Sequence, residues 1–328
     1  MTLEAVLASN ASKLMQKANV EGVGIGFKVR RGRQLKQPCL TVLVKEKLPL
    51  AALAPQDIVP STIAGYKTDV VASGTFYALQ MATKQEPAAP GSSIGHYRVT
   101  AGTFGAVVAD AHTGQALILS NNHVLANSSN GRDGRAFYGD PILHPAPVDG
   151  GKLPADLIAH LYRFVPLTFL PAGSSQQQAA SLGRLSLVAS QEATTPALTN
   201  VVDAAVALPV SNARIIPSIL GIGPLAGTQE AALDMIVLKS GRTTGVTVGS
   251  VLLLNAVVRV DYGAAGTAIF TDQIISDLPS APGDSGSLVV DERSQAVGLL
   301  FAGGNGLTVI NRIAQVEQEL GIRIMGSI

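Results

Sequence analysis

The sequence predicts a mostly β fold, on three observations. Short runs of Val, Leu, Ile and Thr recur along the 328 residues and are punctuated by Gly, Pro, Asn and Asp, the pattern of sandwiches and barrels. Glycine (34) and proline (18) are too many for a helical protein, and helical periodicity is confined to the two ends. The chain is 47% hydrophobic but only 14% charged, which implies a large buried fraction and not extended disorder.

At the N-terminus, Leu3, Val6, Leu7, Leu14 and Met15 fall at helical spacing within residues 3–18, predicting a short amphipathic helix. Strand-like runs follow at Gly22–Val29 and Cys39–Leu48, then near Thr62–Val71 and Thr75–Met81, with Pro49, Pro55 and Pro60 in a connecting loop. This is a small α+β domain over residues 1–85. Gly22, Gly24 and Gly26 have no helix to open onto, so they read as bulges or close backbone contacts, not as a phosphate loop. Lys84–Ser93, rich in Pro, Ser and Gly, reads as a linker. Strands and turns then run to about residue 310, with surface excursions expected over 128–200, including GSSQQQAAS at 173–181. Ile313, Val316 and Leu320 share one face of Asn311–Leu320, and Gly321 stops it, which predicts a C-terminal helix over 311–320.

The formal net charge is +1 with no basic or acidic run, so neither nucleic acid nor an anionic membrane is an expected partner. No apolar stretch reaches about 18 residues, the length of a spanning helix. The segment after Met1 lacks the apolar core of a secretory signal. A cytoplasmic location is the expectation. The single Cys39 allows no intrachain disulfide, and no Cys/His cluster has zinc-ligand spacing, so neither metal nor other cofactor is expected.

Three local contexts carry chemistry. A serine hydroxyl needs a neutral imidazole as base, a carboxylate to fix that imidazole's tautomer, and donors for the developing oxyanion. Pro282-Gly283-Asp284-Ser285-Gly286-Ser287 sets glycines on both sides of a serine, so a sharp turn can aim the N–H groups of Gly283 and Ser285 at one point. Alone, this motif also suits a surface turn. Leu117–Ala126 runs an apolar strand into Ser120-Asn121-Asn122-His123, whereas His96, His112, His144 and His160 have no comparable setting. Asn200–Leu208 places Asp203 at the start of a small apolar run, where an acid is costly to bury unless paired. Asp156 is the rival acid, nearer to His123 in the chain.

Together these contexts resemble the chymotrypsin-like (trypsin-like) serine proteases, in the family's order His123, Asp203, Ser285. The His box SNNHVLAN and Gly-Asp-Ser-Gly-Ser-Leu look like an intracellular bacterial branch related to the plant narrow-leaf trypsin-like protease. Ser240-Gly241-Arg242-Thr243-Thr244-Gly245 is similar to the second barrel of α-lytic protease and the streptogrisins, and Val297–Gly304 to the strand lining their substrate pocket. The resemblance covers about residues 100–328 and implies a double β-barrel chymotrypsin-like fold: a protease domain over 94–328, with a first barrel at about 94–215, a second at about 216–310 and a closing helix.

The resemblance also implies roles. Ser285 is the expected nucleophile, His123 the general base, Asp203 the orienting acid, and the Gly283 and Ser285 N–H groups the oxyanion hole. Leu300, Phe301, Ala302 and Gly303 match substrate-binding positions, and Lys239 matches a basic residue that pairs with Asp284. Phe301 stands where many members carry a serine bonded to the catalytic aspartate. Pro279 replaces the carboxylate of trypsin, implying an uncharged pocket for small or medium apolar side chains. The expected activity is endopeptidase, with a protein or peptide as partner. A catalytically inactive binding module on the same fold is the alternative, and homo-oligomerisation stays open.

Overall fold

A computed structural model describes residues 2–30, 33–74, 86–98, 101–171 and 198–326. The expected strand at Thr75–Met81 and the 173–181 stretch lie outside the described residues.

The first helix, α1 (Leu3–Met15), begins where the Thr2 hydroxyl accepts from the Ala5 N–H, a capping arrangement that satisfies one orphan donor. Its buried face is Leu3, Val6, Leu7, Ala11, Leu14 and Met15. That face packs on β1 (Val20–Arg30) and β2 (Arg33–Val44), an antiparallel hairpin. β3 (Thr62–Ile63) and β4 (Tyr66–Ala72) follow, and β4 runs parallel to β2. The second run ends at Val44 and not at Leu48, because the chain bends at Lys45 and Glu46.

Next come β5 (Ser93–His96), β6 (Gly102–Thr103), β7 (Ala106–Asp110), β8 (Ala116–Ser120), the single-turn α2 (Asn122–Leu125), β9 (Pro141–Leu143), β10 (Leu157–Phe164) and β11 (Ala205–Pro209). They form one sheet in the order β7-β8-β11-β10-β9-β5-β6 around a core that includes Ile94, Phe104, Ile118, Leu125, Ile158 and Leu161. Within the expected excursion at 128–200 the chain therefore supplies two strands. β9 escapes a pattern reading because it is three residues long and opens with a proline. The described part of the expected linker is also ordered: Ala88 and Ala89 are buried, and the Ala88 N–H donates to Arg214 O.

A short pair, β12 (Ser218–Ile219) and β13 (Gly223–Pro224), leads to the last group. It comprises β14 (Ile236–Gly241), β15 (Gly245–Asp261), β16 (Thr267–Ser276), β17 (Leu288–Asp291), β18 (Ala296–Gly304) and β19 (Leu307–Arg312). Their antiparallel order β14-β17-β18-β19-β16-β15 closes on itself through β14–β15, making a six-stranded barrel. β15 is 17 residues long, and its far half pairs with β1, so the N-terminal strands extend this barrel's sheet. The chain ends with α3 (Ile313–Leu320), buried through Ile313, Val316 and Leu320, and with β20 (Ile322–Ile324), which crosses to pair with β7. Helix α3 starts at Ile313 because Asn311 and Arg312 still belong to β19.

Candidate active site

The three sequence contexts meet between the two barrels. Strand β8 delivers the chain to α2, and each polar residue of Ser120-Asn121-Asn122 is spent on a carbonyl. Ser120 Oγ donates to Thr103 O (2.8 Å), Asn121 Nδ2 to Asp203 O (2.7 Å), and Asn122 Nδ2 to Val165 O (2.7 Å) and Ser129 O (3.0 Å). These bonds fix the turn that presents His123.

Asp203 arrives ahead of β11 and is fully buried. Its Oδ2 lies 2.6 Å from His123 Nδ1, and its Oδ1 accepts from the His123 backbone N–H at 3.2 Å. The carboxylate therefore accepts the Nδ1 proton and leaves Nε2 as the acceptor nitrogen. His123 Nε2 is buried with no hydrogen-bond partner. The rival Asp156 is elsewhere: its carboxylate accepts from the Lys152 N–H in a local turn.

A buried polar chain positions Asp203 across the seam. The Asp203 N–H donates to Asn311 Oδ1 (3.0 Å), Asn311 Nδ2 donates to Gln273 Oε1 (2.7 Å), and Gln273 Nε2 returns to Val201 O (2.8 Å). Residues from β16 and β19 thus hold the Asp203 backbone, and each of these buried polar groups finds a partner.

The acid has a third donor that sequence reasoning missed. The Tyr262 hydroxyl donates to Asp203 Oδ2 at 2.7 Å, and the ring stands edge-on to His123 with centroids 5.9 Å apart. Phe169 meets Tyr262 edge-on at 5.7 Å, and Phe270 lies between Tyr262 and Phe301. Burial, and next the Asp203 charge, push the Tyr262 hydroxyl well above its ordinary range, so it stays protonated and donates. No local motif marks Tyr262, which comes from the turn after β15.

Ser285 sits in a turn that requires glycine behind it. Gly286 has φ +93°, and a Cβ there would lie 2.1 Å from Ser120 Oγ and 2.4 Å from Thr103 O. The Thr103 N–H donates to Ser285 O at 2.7 Å, and Gly102 separates that carbonyl from the Val124 side chain, the neighbour of His123. Ser285 Oγ donates to Phe301 O at 3.4 Å, a long bond. Two carbonyls around the turn are held back: Pro282 O by Thr243 Oγ1 (2.5 Å) and Asp284 O by Ser287 Oγ (2.6 Å). A trans peptide points its N–H opposite to its C=O, so these bonds turn the Gly283 and Ser285 N–H groups to the other side.

Asp284 and Lys239 meet behind the turn, with Nζ 3.3 Å from Oδ2. Asp284 also accepts from the N–H groups of Thr243, Thr244 and Ala281 and from Thr244 Oγ1. Lys239 Nζ donates to Thr244 Oγ1 and to Gly245 O. Burial pushes the Lys239 ammonium down, and Asp284 pulls it back only in part.

The expected substrate positions lie on β18. Leu300, Phe301 and Ala302 are fully buried, with their side chains in the cores of the second barrel. β17 pairs with β18 only as far as Leu299, so the β18 edge from Phe301 to Gly303 has no strand beside it among the described residues, on the side where Ser285 lies. Gly303 faces Ser280: a Cβ there would lie 3.1 Å from Ser280 Oγ, which in turn bonds Thr308 Oγ1 at 2.6 Å.

Three other histidines find their partners away from this site. His96 is buried against Asp140 (3.0 Å), His144 Nδ1 lies 2.6 Å from Ser93 O, and His160 Nδ1 lies 2.9 Å from Gly139 O. Among the described residues no group of three or more His, Cys, Asp or Glu is placed to hold a metal ion, and no helix is long and apolar enough to cross a membrane.

The class defined by this architecture is the chymotrypsin-like double β-barrel, with the site at the seam. The chain is similar to solved serine proteases of that class. Protease A of Thermobifida fusca is 19% identical over 73% of this chain and 100% of that one (TM-score 0.44). A chymotrypsin of Cellulomonas bogoriensis is 16% identical over 73% and 98% (TM-score 0.43), and the Nocardiopsis protease NAPase is 15% identical over 72% and 99% (TM-score 0.45). A family model described as the NARROW LEAF 1 N-terminal domain matches residues 2–72. No curated protein matches the chain.

Proposed function

We propose that the chain is a serine endopeptidase working through an acyl-enzyme on Ser285. One observation carries this reading: a buried carboxylate holds His123 by Nδ1 and leaves a buried, unpartnered Nε2 at the barrel seam where the Ser285 turn lies. A buried nitrogen without a partner costs free energy. A rotation of the serine hydroxyl toward it relieves that cost and creates the nucleophile. Catalytic hydrogen bonds of this kind are commonly long or unmade until substrate arrives.

In the proposed cycle Ser285 Oγ attacks the scissile carbonyl carbon while His123 Nε2 takes the hydroxyl proton. The oxyanion is met by the Gly283 and Ser285 N–H groups. The imidazolium then gives its proton to the leaving amine as the C–N bond breaks, leaving an ester on Ser285. Water attacks the ester, gives one proton to Nε2, and Ser285 leaves with that proton. Asp203 keeps its bond to Nδ1 and holds the ring in place throughout.

The free β18 edge at Phe301–Gly303 suits an extended peptide laid beside it as an added strand. Gly303, Ser280 and Thr308 lie together there and carry no charge, which suits small or medium apolar side chains better than Lys or Arg. A reducing, cytoplasmic setting suits a chain whose one cysteine, Cys39, is buried and free.

Covalent labelling tests the proposal. A fluorophosphonate probe is expected to modify the parent at Ser285, located by peptide mass spectrometry, and to leave His123→Ala unmodified. Labelling that persists in His123→Ala, or none in the folded parent, contradicts it.

A further inference from the structure

We infer that Tyr262 is a positioning residue for the candidate triad, holding the Asp203 carboxylate in the one orientation from which it can fix the His123 ring. The inference rests on the endopeptidase reading and adds a residue to it.

The geometry supports it from three directions. Asp203 Oδ2 takes two donors, His123 Nδ1 at 2.6 Å and the Tyr262 hydroxyl at 2.7 Å, while Oδ1 takes, among the described residues, only the longer His123 backbone N–H. Without the hydroxyl, the carboxylate is free to turn about its terminal torsion, and such torsions are broad. Second, the tyrosine ring itself stands against the imidazole, so one side chain braces both members of the pair. Third, Phe169 and Phe270 pack around the ring, so a water molecule cannot readily take the hydroxyl's place. The rest of the polar surroundings does not duplicate this bond: Asn311 and Asn121 hold the Asp203 backbone and not its carboxylate.

The site also accounts for Phe301. Its ring fills the space beside Phe270, at 4.7 Å between centroids, and its carbonyl faces Ser285 Oγ. A side-chain hydroxyl from β18 is therefore absent at this point, and the bond to the acid comes instead from the turn between β15 and β16.

The test is Tyr262→Phe in the full-length chain, which keeps the ring and removes only the donor. Two readouts are taken. The first is the downfield proton resonance of His123 Nδ1–H, identified by its loss in His123→Ala. The second is the split between kcat and KM on a cleaved peptide. Loss of a hydrogen bond to a charged group predicts a fall in kcat of about 10- to 100-fold with KM nearly unchanged, together with a displaced or broadened resonance. An unchanged resonance overturns the inference whatever kcat does, and a displaced resonance with unchanged kcat overturns it too. If the parent cleaves no peptide, the endopeptidase reading falls, but the resonance still decides whether Tyr262 holds the Asp203–His123 pair.

Discussion

Lys239 and Asp284 face each other with Nζ 3.3 Å from Oδ2 and both side chains 0% exposed. The carboxylate is the residue before Ser285, and its remaining lone pairs are taken by Thr243, Thr244 and Ala281. The pair lies behind the Ser285 turn, inside the barrel.

Lys239→Met leaves that carboxylate buried without its counter-charge. The expected cost is about 3–5 kcal/mol of stability, read from chemical denaturation, along with lost fluorophosphonate labelling at Ser285. A variant as stable and as reactive as the parent contradicts the role given to the pair.

Asp203→Asn and Asp156→Asn separate the two candidate acids. Asp203 meets His123 directly, whereas Asp156 closes a turn with Lys152. Peptide turnover by Asp203→Asn is expected to drop by about 10⁴ in kcat, and Asp156→Asn to stay within a few-fold of the parent. The reverse pattern would transfer the assignment.

Thr243→Val removes the hydroxyl that holds back Pro282 O. The Gly283 peptide can then rotate and carry its N–H away from the developing oxyanion. Removing one oxyanion donor costs about 10²–10³ in kcat, and loosening one costs less, so a drop of about tenfold with KM unchanged is the expectation from steady-state kinetics. A raised KM with normal kcat would place Thr243 in substrate binding instead.

Asp110 gives a pH-dependent prediction. The Arg163 guanidinium, at 2.5 Å, and next the Thr113 N–H hold its carboxyl far below the usual range. A carboxyl whose pKa is depressed by folding adds stability above its unfolded value of about 3.9, and that contribution drains away as pH falls toward the folded value. Asp110 also pairs with Ile322, where β20 joins the first barrel. Asp110→Asn is expected to lower the denaturation midpoint at neutral pH, with the gap to the parent narrowing steadily below about pH 4. A gap that stays constant with pH contradicts this account.

Much of the candidate site was legible because its residues carry local conformational demands. Gly286 needs its positive φ and its missing Cβ, so the Ser285 turn leaves a trace in sequence. Tyr262 leaves none. Its partner Asp203 lies 59 residues away, and a tyrosine in a turn looks the same whether or not its hydroxyl finds a carboxylate. The pairing of β1 with β15 was hidden for a similar reason: strand periodicity tells which face is buried but not which distant strand lies alongside. Leu300 and Ala302 matched a pocket strand in sequence, yet burial of their side chains leaves only backbone at that edge.

Digestion of a diverse peptide library by the purified full-length chain, beside Ser285→Ala and read by mass spectrometry, tests the central proposal most directly. The expected result is a set of internal cleavages, mainly after small side chains, that vanish in Ser285→Ala. The same cleavages in both samples, or none from a folded parent, would contradict it.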